Sequence, residues 1–476
     1  MDGFGRRQVL LGGALGAAAV AFTGRSAAGA GPRPAVWDFP EHRTGARLAT
    51  DRAYAARQVD ALSSAQTRIG QIIDRLQARQ DVAPAPHGLP FDRYRSSGSG
   101  TELLIARGQL TVRLEQSDAT RLTSLGYTRS GTSRRASAVG PQIGVFRGDK
   151  GPAQLARDAA RLRAQGIAAA LNVIAPLGYV IKADDYPFVT QPLAPASAVA
   201  PAAVRVALVD TGIAAGPRPD GWLTGAVVGP GHVDPLDVLP AAGRLDWGAG
   251  HGTFTAGIVQ RVAPRCEIVA YRFTRSDGLG TDQDVADMLL QAASDAHQAG
   301  VPTVINASLG TPAVDGVPPL AMRAAVEFIG ANYPGVLIVA AAGNMGSAEP
   351  VYPAAFDGVV AVGALTNDLQ PAPFSSYGSW LQCSTVGVGV VSTFAPGVSP
   401  PEPTPNHPDQ AFGANGWGMW SGTSFSAPQI SGAIAQLCCD HPGLTPHAAL
   451  DLLLAGQPEL PGYGRALRLL PGTPTS

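Results

Sequence analysis

Three residues beyond position 200 have types suited to covalent catalysis by a hydroxyl: a carboxylate, an imidazole and a serine, each inside its own glycine-flanked motif. Asp210 closes the run Val206-Ala-Leu-Val-Asp210-Thr-Gly212. It therefore stands at the carboxyl end of an apolar strand, where open α/β sheets build their sites. Taken alone, an Asp before Gly is also an ordinary turn residue. His251, in Gly250-His-Gly-Thr253, opens a helical stretch running to about Arg261, where a structural cap is the plainer reading. Ser424 lies in Ser421-Gly-Thr-Ser-Phe-Ser-Ala-Pro428, and Pro428 fits only the first turn of a helix, which sets Ser424 near a helix N-terminus. A serine there is either an N-cap or a hydroxyl in a field that favours developing negative charge. A hydroxyl is a weak nucleophile unless a base takes its proton, and imidazole is the side chain suited to that near pH 7. Asn344 follows the apolar run Val336–Ala341 beside Gly343. It suits a left-handed turn and equally offers an amide donor.

The elements that must position these groups follow from the apolar pattern. Val204–Val209, Ile268–Tyr271, Val301–Ile305, Val336–Ala341 and Val359–Val362 read as buried strands, with helices at Asp282–Gln298 and Ala321–Ala331 and another from the Ser424 motif through Cys439. Buried strands alternating with helices predict a mostly parallel sheet covered by helices on both faces. The N-terminal half reads differently. Val59, Leu62, Gln66, Ile69, Ile73 and Leu76 step by three and four, predicting a long amphipathic helix between residues 46 and 79 that Pro84 and Pro86 end. Glu102–Ala106 and Gln109–Leu114, around Arg107-Gly108, read as a hairpin. A short helix at Asp118–Leu125, then strand, helix and strand at Ile143–Arg147, Gln154–Gln165 and Ala168–Ile174, complete a small α+β domain. The Pro- and Ala-rich run from Pro192 to Pro201 is the expected boundary, and Pro396–Pro408 an expected surface loop. The reading divides the chain into a signal at 1–30, an α+β domain at 31–191, a linker at 192–202, an α/β domain at 203–470 and a tail at 471–476.

Charge divides at the same place. The 476 residues carry a net charge of −1, which argues against a nucleic-acid-coating protein. Residues 1–200 hold 25 basic and 15 acidic side chains, a net of +10, and the remainder 10 and 21, a net of −11. Arg6-Arg7 ahead of the apolar stretch Val9–Phe22, with Ala28-Gly29-Ala30 after it, reads as a twin-arginine export signal cleaved after Ala30. The stretch falls below the ~20 residues needed to span a bilayer, and no later segment is long and apolar enough to hold the mature chain there. Export makes the product extracellular; a form held at the cell wall or membrane would keep its signal uncleaved. Export also permits Cys266, Cys383, Cys438 and Cys439 to pair, in any of three connectivities, or to remain buried thiols.

With its motifs in order, the stretch from about residue 203 to 470 resembles the subtilisin-like serine proteases, the subtilase family or peptidase S8. The resemblance rests on VALVDTG around Asp210, GHGT at 250–253, NASLG at 306–310, AAAGN at 340–344, SGTSFSAP at 421–428 and GYGR at 462–465. It implies a secreted serine endopeptidase that hydrolyses peptide bonds through an acyl-enzyme. Ser424 would be the nucleophile, His251 its general base and then acid, and Asp210 the group that orients the imidazole. The Asn344 amide and the Ser424 backbone N–H would form the oxyanion hole. Ser308, Leu309 and Gly310 would pair with an extended substrate, and Gly310 with Ala341, Ala342 and Gly343 would wall the pocket for the residue before the scissile bond. Small walls predict a preference there for apolar or aromatic side chains.

The resemblance also gives residues 31–200 a role as a propeptide, an intramolecular chaperone and inhibitor removed by self-cleavage within about residues 183–203. Their net of +8 facing −11 favours docking. A permanent N-terminal binding domain is the alternative. No cofactor is required, and although calcium is frequent in the family, no acidic cluster predicts a site. The expected partners are polypeptide substrates and the chain's own N-terminal region, in a monomer. Phe254, Thr311, Met345 and Gln429 depart from common family residues without removing a catalytic group. A non-catalytic relative has no chemical need for Asp210, His251, Ser424 and Asn344 together. An esterase of the α/β-hydrolase type would need a Gly-x-Ser-x-Gly elbow, and a dinucleotide-binding protein a Gly-x-Gly-x-x-Gly turn after Asp210; the sequence has neither.

Overall fold

Runs rich in Val, Ile and Ala form the centre of the molecule. The computed structural model describes residues 45–64, 74, 78, 89–97, 100–114, 118–130, 140, 143–175, 186–194, 199–238, 243–400 and 409–472. The expected signal, the stretch from Gln66 to Leu76 apart from residue 74, Pro84 and Pro86, and most of the Pro396–Pro408 loop and of the tail lie outside them. The described residues belong to one compact unit.

The N-terminal part opens with helix α1, Gly45–Ser63. Strands β1 (Phe91–Arg95), β2 (Glu102–Arg113), β3 (Thr128–Arg129), β4 (Ile143–Arg147) and β5 (Ala169–Val173) form an antiparallel sheet, with α2 (Asp118–Ser124) and α3 (Pro152–Ala164) between strands. Leu155, Ala159 and Leu162 of α3 pack on Leu103, Ile105, Leu110 and Val112 of β2. The expected hairpin is absent: Glu102–Arg113 is one strand. Gly108, at φ +69, sits where the register with β5 shifts between Ile105 and Leu110. A Cβ there would lie 2.4 Å from the Gly148 carbonyl oxygen, so the glycine makes a bulge that lets β4 approach, not a turn. A two-residue strand, β6 (Phe188–Val189), precedes the Pro-rich run.

In the C-terminal part, β7 (Arg205–Asp210), α4 (His251–Val262), β8 (Glu267–Arg272), α5 (Asp282–Ala299), β9 (Thr303–Ala307), α6 (Leu320–Asn332), β10 (Val336–Ala341), β11 (Val359–Leu365) and β12 (Cys383–Val386) follow in order. Beyond them come β13 (Val390–Thr393), β14 (Trp417–Trp420), α7 (Ala427–Asp440), α8 (Pro446–Leu454), β15 (Glu459–Leu460) and β16 (Gly464–Leu467). An eight-stranded sheet runs in the order β8-β7-β9-β10-β11-β12-β16-β15, parallel except for the last pair. Alternation along each strand sorts its side chains between two cores. Val206 and Leu208 join α4 and α7 on one face, while Ala207 and Val209 join α5 and α6 on the other. The two-layered cover therefore agrees with the sequence.

Asp282 fastens the second helix pair. Its carboxylate accepts from the Ala321 and Met322 N–H groups at 2.8 Å each, capping α6 from the first residue of α5. Burial pushes its pKa up to about 6, against the lowering effect of those bonds. No helix among the described residues is long and apolar enough to cross a membrane. All four cysteines are free thiols, Cys383, Cys438 and Cys439 buried, and burial pushes Cys383 up to about 12.

Candidate active site

Strand β7 delivers Asp210 to the carboxyl edge of the sheet, and helix α4 begins at the residue that must meet it. The His251 Nδ1–H donates to both Asp210 oxygens, at 2.7 and 2.9 Å, and the carboxylate partner fixes which ring nitrogen carries that proton. Asp210 also accepts from the Thr211 N–H at 2.7 Å and from the Thr255 hydroxyl at 3.3 Å. The approach depends on glycine. A Cβ on Gly252 would stand 1.9 Å from the Gly212 carbonyl oxygen, so no larger residue lets α4 start against the end of β7.

A second carboxylate holds this junction from behind. Asp234 accepts from the Thr211 hydroxyl at 2.9 Å and from the Gly250 N–H at 2.8 Å. The Leu236 N–H donates to its other oxygen at 3.2 Å, and Thr211 Oγ1 in turn accepts from the Gly252 N–H at 3.0 Å. The backbone on either side of His251 is thus tied to Asp234. Burial, with the Asp210 charge nearby, pushes its pKa up to about 7 even though its hydrogen bonds act to lower it.

Ser424 lies in a single 3₁₀ turn, Thr423–Phe425, that feeds α7. Its hydroxyl donates to the Ser308 carbonyl at 3.4 Å, and the Ser308 hydroxyl donates to the Ser424 carbonyl at 2.8 Å. Behind that contact the Asn306 amide donates to Ser308 Oγ, and the Ser431 hydroxyl of α7 to Asn306 Oδ1, each at 3.0 Å. The end of β9 and the start of α7 therefore form one polar unit.

Asn344 follows β10. Its Oδ1 accepts from the Thr423 N–H at 2.9 Å and the Thr423 hydroxyl at 2.8 Å. A backbone N–H can only donate, so the amide orientation is settled: Nδ2, buried and without a hydrogen-bond partner, faces the other way. A Cβ placed on Gly422 would meet it at 3.4 Å, which sets Nδ2 beside the turn that holds Ser424.

A pocket between β9 and β10 is lined by Leu309, Gly310, Pro312, Ala341, Gly343, Asn344, Met345, Val351, Thr423 and Ser424. Of the four expected wall residues, Gly310, Ala341 and Gly343 line it, joined by Leu309, which was expected to pair with substrate. Ser308 instead holds Ser424, and Ala342 is buried in the core shared with α5 and α6. Val351 reaches in from the far side: a Cβ on Gly310 would lie 2.5 Å, and one on Gly343 3.1 Å, from its methyl groups. Trp420 sets its edge to the His251 ring at 5.6 Å, and Phe425 lies at 5.4 Å. Asp210, His251 and Ser424 have no exposed surface in the chain as it stands. Thr255, Asp234 and Val351 carried no local motif, and Thr423, although inside the Ser424 motif, was given no role.

The profile of the subtilase family matches residues 202–459. Subtilisin DY of Bacillus licheniformis is 31% identical over 261 residues, 51% of this chain and 79% of that protein. Subtilisin Savinase of Lederbergia lenta is 31% identical over 241 residues, 49% and 75%. Among solved structures, fervidolysin from Fervidobacterium pennivorans, described as a keratinolytic enzyme related to subtilisin, aligns with a TM-score of 0.54 over 77% of this chain and 60% of its own. At 20% identity that likeness speaks for the fold.

Proposed function

This chain belongs to the subtilase family of serine endopeptidases, and from that premise we propose that Ser424 is its nucleophile, His251 its general base and acid, and Asp210 the group that orients the imidazole. The observation that carries the reading is the paired hydrogen bond from His251 Nδ1 to Asp210, which leaves Nε2 as the basic nitrogen of the ring. Attack of Ser424 Oγ on a peptide carbonyl passes the hydroxyl proton to that nitrogen. The oxyanion accepts from Asn344 Nδ2 and the Ser424 N–H. Collapse breaks the C–N bond, the proton leaves with the amine, and water repeats the sequence to free the acyl group. No further group is needed for this proton traffic. Labelling with a serine-directed fluorophosphonate tests it: Ser424→Ala should lose the label, and equal labelling would reject the assignment.

The pocket suits an apolar side chain before the scissile bond, and the Val351 methyls favour small and medium residues over aromatic rings. We further propose that the chain is an exported precursor, processed by its own site, in which the N-terminal part from residue 31 to the cleavage point acts as chaperone and inhibitor until released. Paired backbone on two sides supports this. The Ala175 N–H donates to Gly280 O at 2.8 Å and Ile174 bridges to Thr281, while β6 pairs with β14, the strand that leads to Ser424. These anchors favour cleavage ahead of Phe188, at the early end of the 183–203 window. Sequencing the new N-terminus of incubated precursor checks the position, and a Ser424→Ala chain processed at the normal rate would reject self-cleavage.

A further inference from the structure

Helix α1 reaches both the strand that runs into the Ser424 turn and the N-terminal segment paired with that strand. Three of its residues, spaced three and four apart and so on one face, make the contact. The Gln58 amide, buried, donates to Met419 O at 3.2 Å and to Tyr186 O at 3.3 Å, and accepts at 2.8 Å from the hydroxyl of Ser421. Tyr54 stacks on Phe188 with ring centres 3.9 Å apart and planes 10° from parallel. Asp51 accepts from the Thr190 hydroxyl at 2.9 Å. Ala55 and Leu62 on this face are buried, whereas Arg52, Arg57 and Asp60 face solvent. What the face grips is residues 186–190, laid antiparallel on β14 with Phe188 opposite Met419 and Val189 opposite Gly418, and with the Thr190 N–H donating to Trp417 O at 3.0 Å. The Tyr186 ring then sits on Trp420 at 6.0 Å, and Trp420 is the ring set against His251.

We propose that the Asp51–Tyr54–Gln58 face of α1 is a peptide-holding site whose ligand is the extended segment Tyr186–Thr190, and that by clamping this segment on β14 it keeps the active site shut. The proposal rests on the assignment of Ser424 as nucleophile. It goes further in placing a second inhibitory contact at β14, remote from the one that β5 leads to at Gly280. Cleavage ahead of Phe188 would not by itself open the site, because the contacts of Asp51, Tyr54 and Gln58 described above all lie with groups that are unchanged by the cut.

The test compares the full chain with Tyr54→Ala/Gln58→Ala and, separately, with Thr190→Val, which removes the Asp51 bond from the other side and leaves α1 intact. Amide hydrogen exchange at residues 186–190 and 417–420 should rise about tenfold or more in the double variant and by a smaller factor in Thr190→Val, with the exchange of β7 and β9 unchanged. Fluorophosphonate labelling of Ser424 should rise in the same order. Unchanged exchange at 186–190 overturns the clamp whatever the labelling does. Raised exchange with no gain in labelling overturns its inhibitory role, provided that mature enzyme freed of its N-terminal part is labelled. If that mature form also fails to react, the nucleophile assignment is what falls, and the exchange experiment alone decides whether α1 holds the segment.

Discussion

Asn344 divides its two amide atoms between different tasks. The oxygen is fully engaged by Thr423, which fixes the side chain, and the nitrogen is left pointing beside Ser424 with a donor to give. Asn344→Ala should therefore lower kcat by about 10²–10³-fold, equivalent to about 2.7–4 kcal/mol, with KM little moved, because the donor matters only once the oxyanion forms. Steady-state kinetics on a peptide substrate measures this, and a loss confined to KM would contradict it. Val351 makes a second residue-level case. Its methyls occupy the volume that Gly310 and Gly343 leave open, so Val351→Gly should raise kcat/KM for aromatic over small apolar residues by about tenfold, and an unchanged ratio would clear Val351 of a part in selectivity. Asp210, His251, Ser424 and Asn344 were legible in the sequence because each sits in a short motif whose glycines and strand or helix ends are local features. Val351 was not, because its part depends on Gly310, some forty residues away, as well as on nearby Gly343; Thr423 stands inside the Ser424 motif, but its bonds reach Asn344, 79 residues away, which no local pattern shows.

Elements meet at Asp234. Its carboxylate joins the loop after β7, the turn before α4 and its own segment, so it governs how His251 faces Asp210 without touching substrate. Its pKa, raised to about 7, has a definite thermodynamic sign. The folded chain keeps a proton that the unfolded chain gives up near pH 4, so this contribution to stability is complete below pH 4, is lost as pH rises toward 7, and is flat beyond. Asp234→Asn, made in a Ser424→Ala background to prevent self-digestion, should remove that slope. The difference between the two denaturant-unfolding curves should change across pH 4–7 by at most about 4 kcal/mol, and parallel curves would place the proton elsewhere. Asp282 titrates in part of the same window, which is why the difference, not the parent curve, is diagnostic. Most strands and helices were legible from periodicity, since β7 to β11 are continuous apolar runs. The false hairpin at Arg107-Gly108 shows the limit of that reading. Glycine at positive φ serves a turn and a bulge equally well, and only the approach of Gly148 from another strand decides between them.

At the scale of the whole molecule the −1 net charge conceals two oppositely charged parts, and the interface between them rests on more than that attraction. Asp315, at φ +51 in the loop before α6, accepts from the hydroxyls of Tyr94 in β1 and of Ser96 and Ser97 just after it, and from the Ser97 N–H at 2.6 Å. Nearby, Arg113 of β2 pairs with Glu327 of α6 at 3.1 Å. None of this was legible beforehand, because Asp315 and Ser97 are 218 residues apart and neither belongs to a motif. Opposite net charges act on encounter and are screened beyond about 8–10 Å at ordinary ionic strength, whereas bonds to a partly buried carboxylate act on release. Burial alone would raise the Asp315 pKa, but its hydrogen bonds outweigh that and hold it below the usual carboxylate range. Its contribution is therefore complete at neutral pH and lost as pH falls through the lowered value. Asp315→Ala should speed release of the processed N-terminal part by about tenfold at pH 7, read as the rate at which activity appears after cleavage. Added salt should slow rebinding far more than it speeds release. Acid should accelerate release in the parent chain more than in the variant, and an equal acceleration in both would show that the acid-sensitive bond lies at another carboxylate.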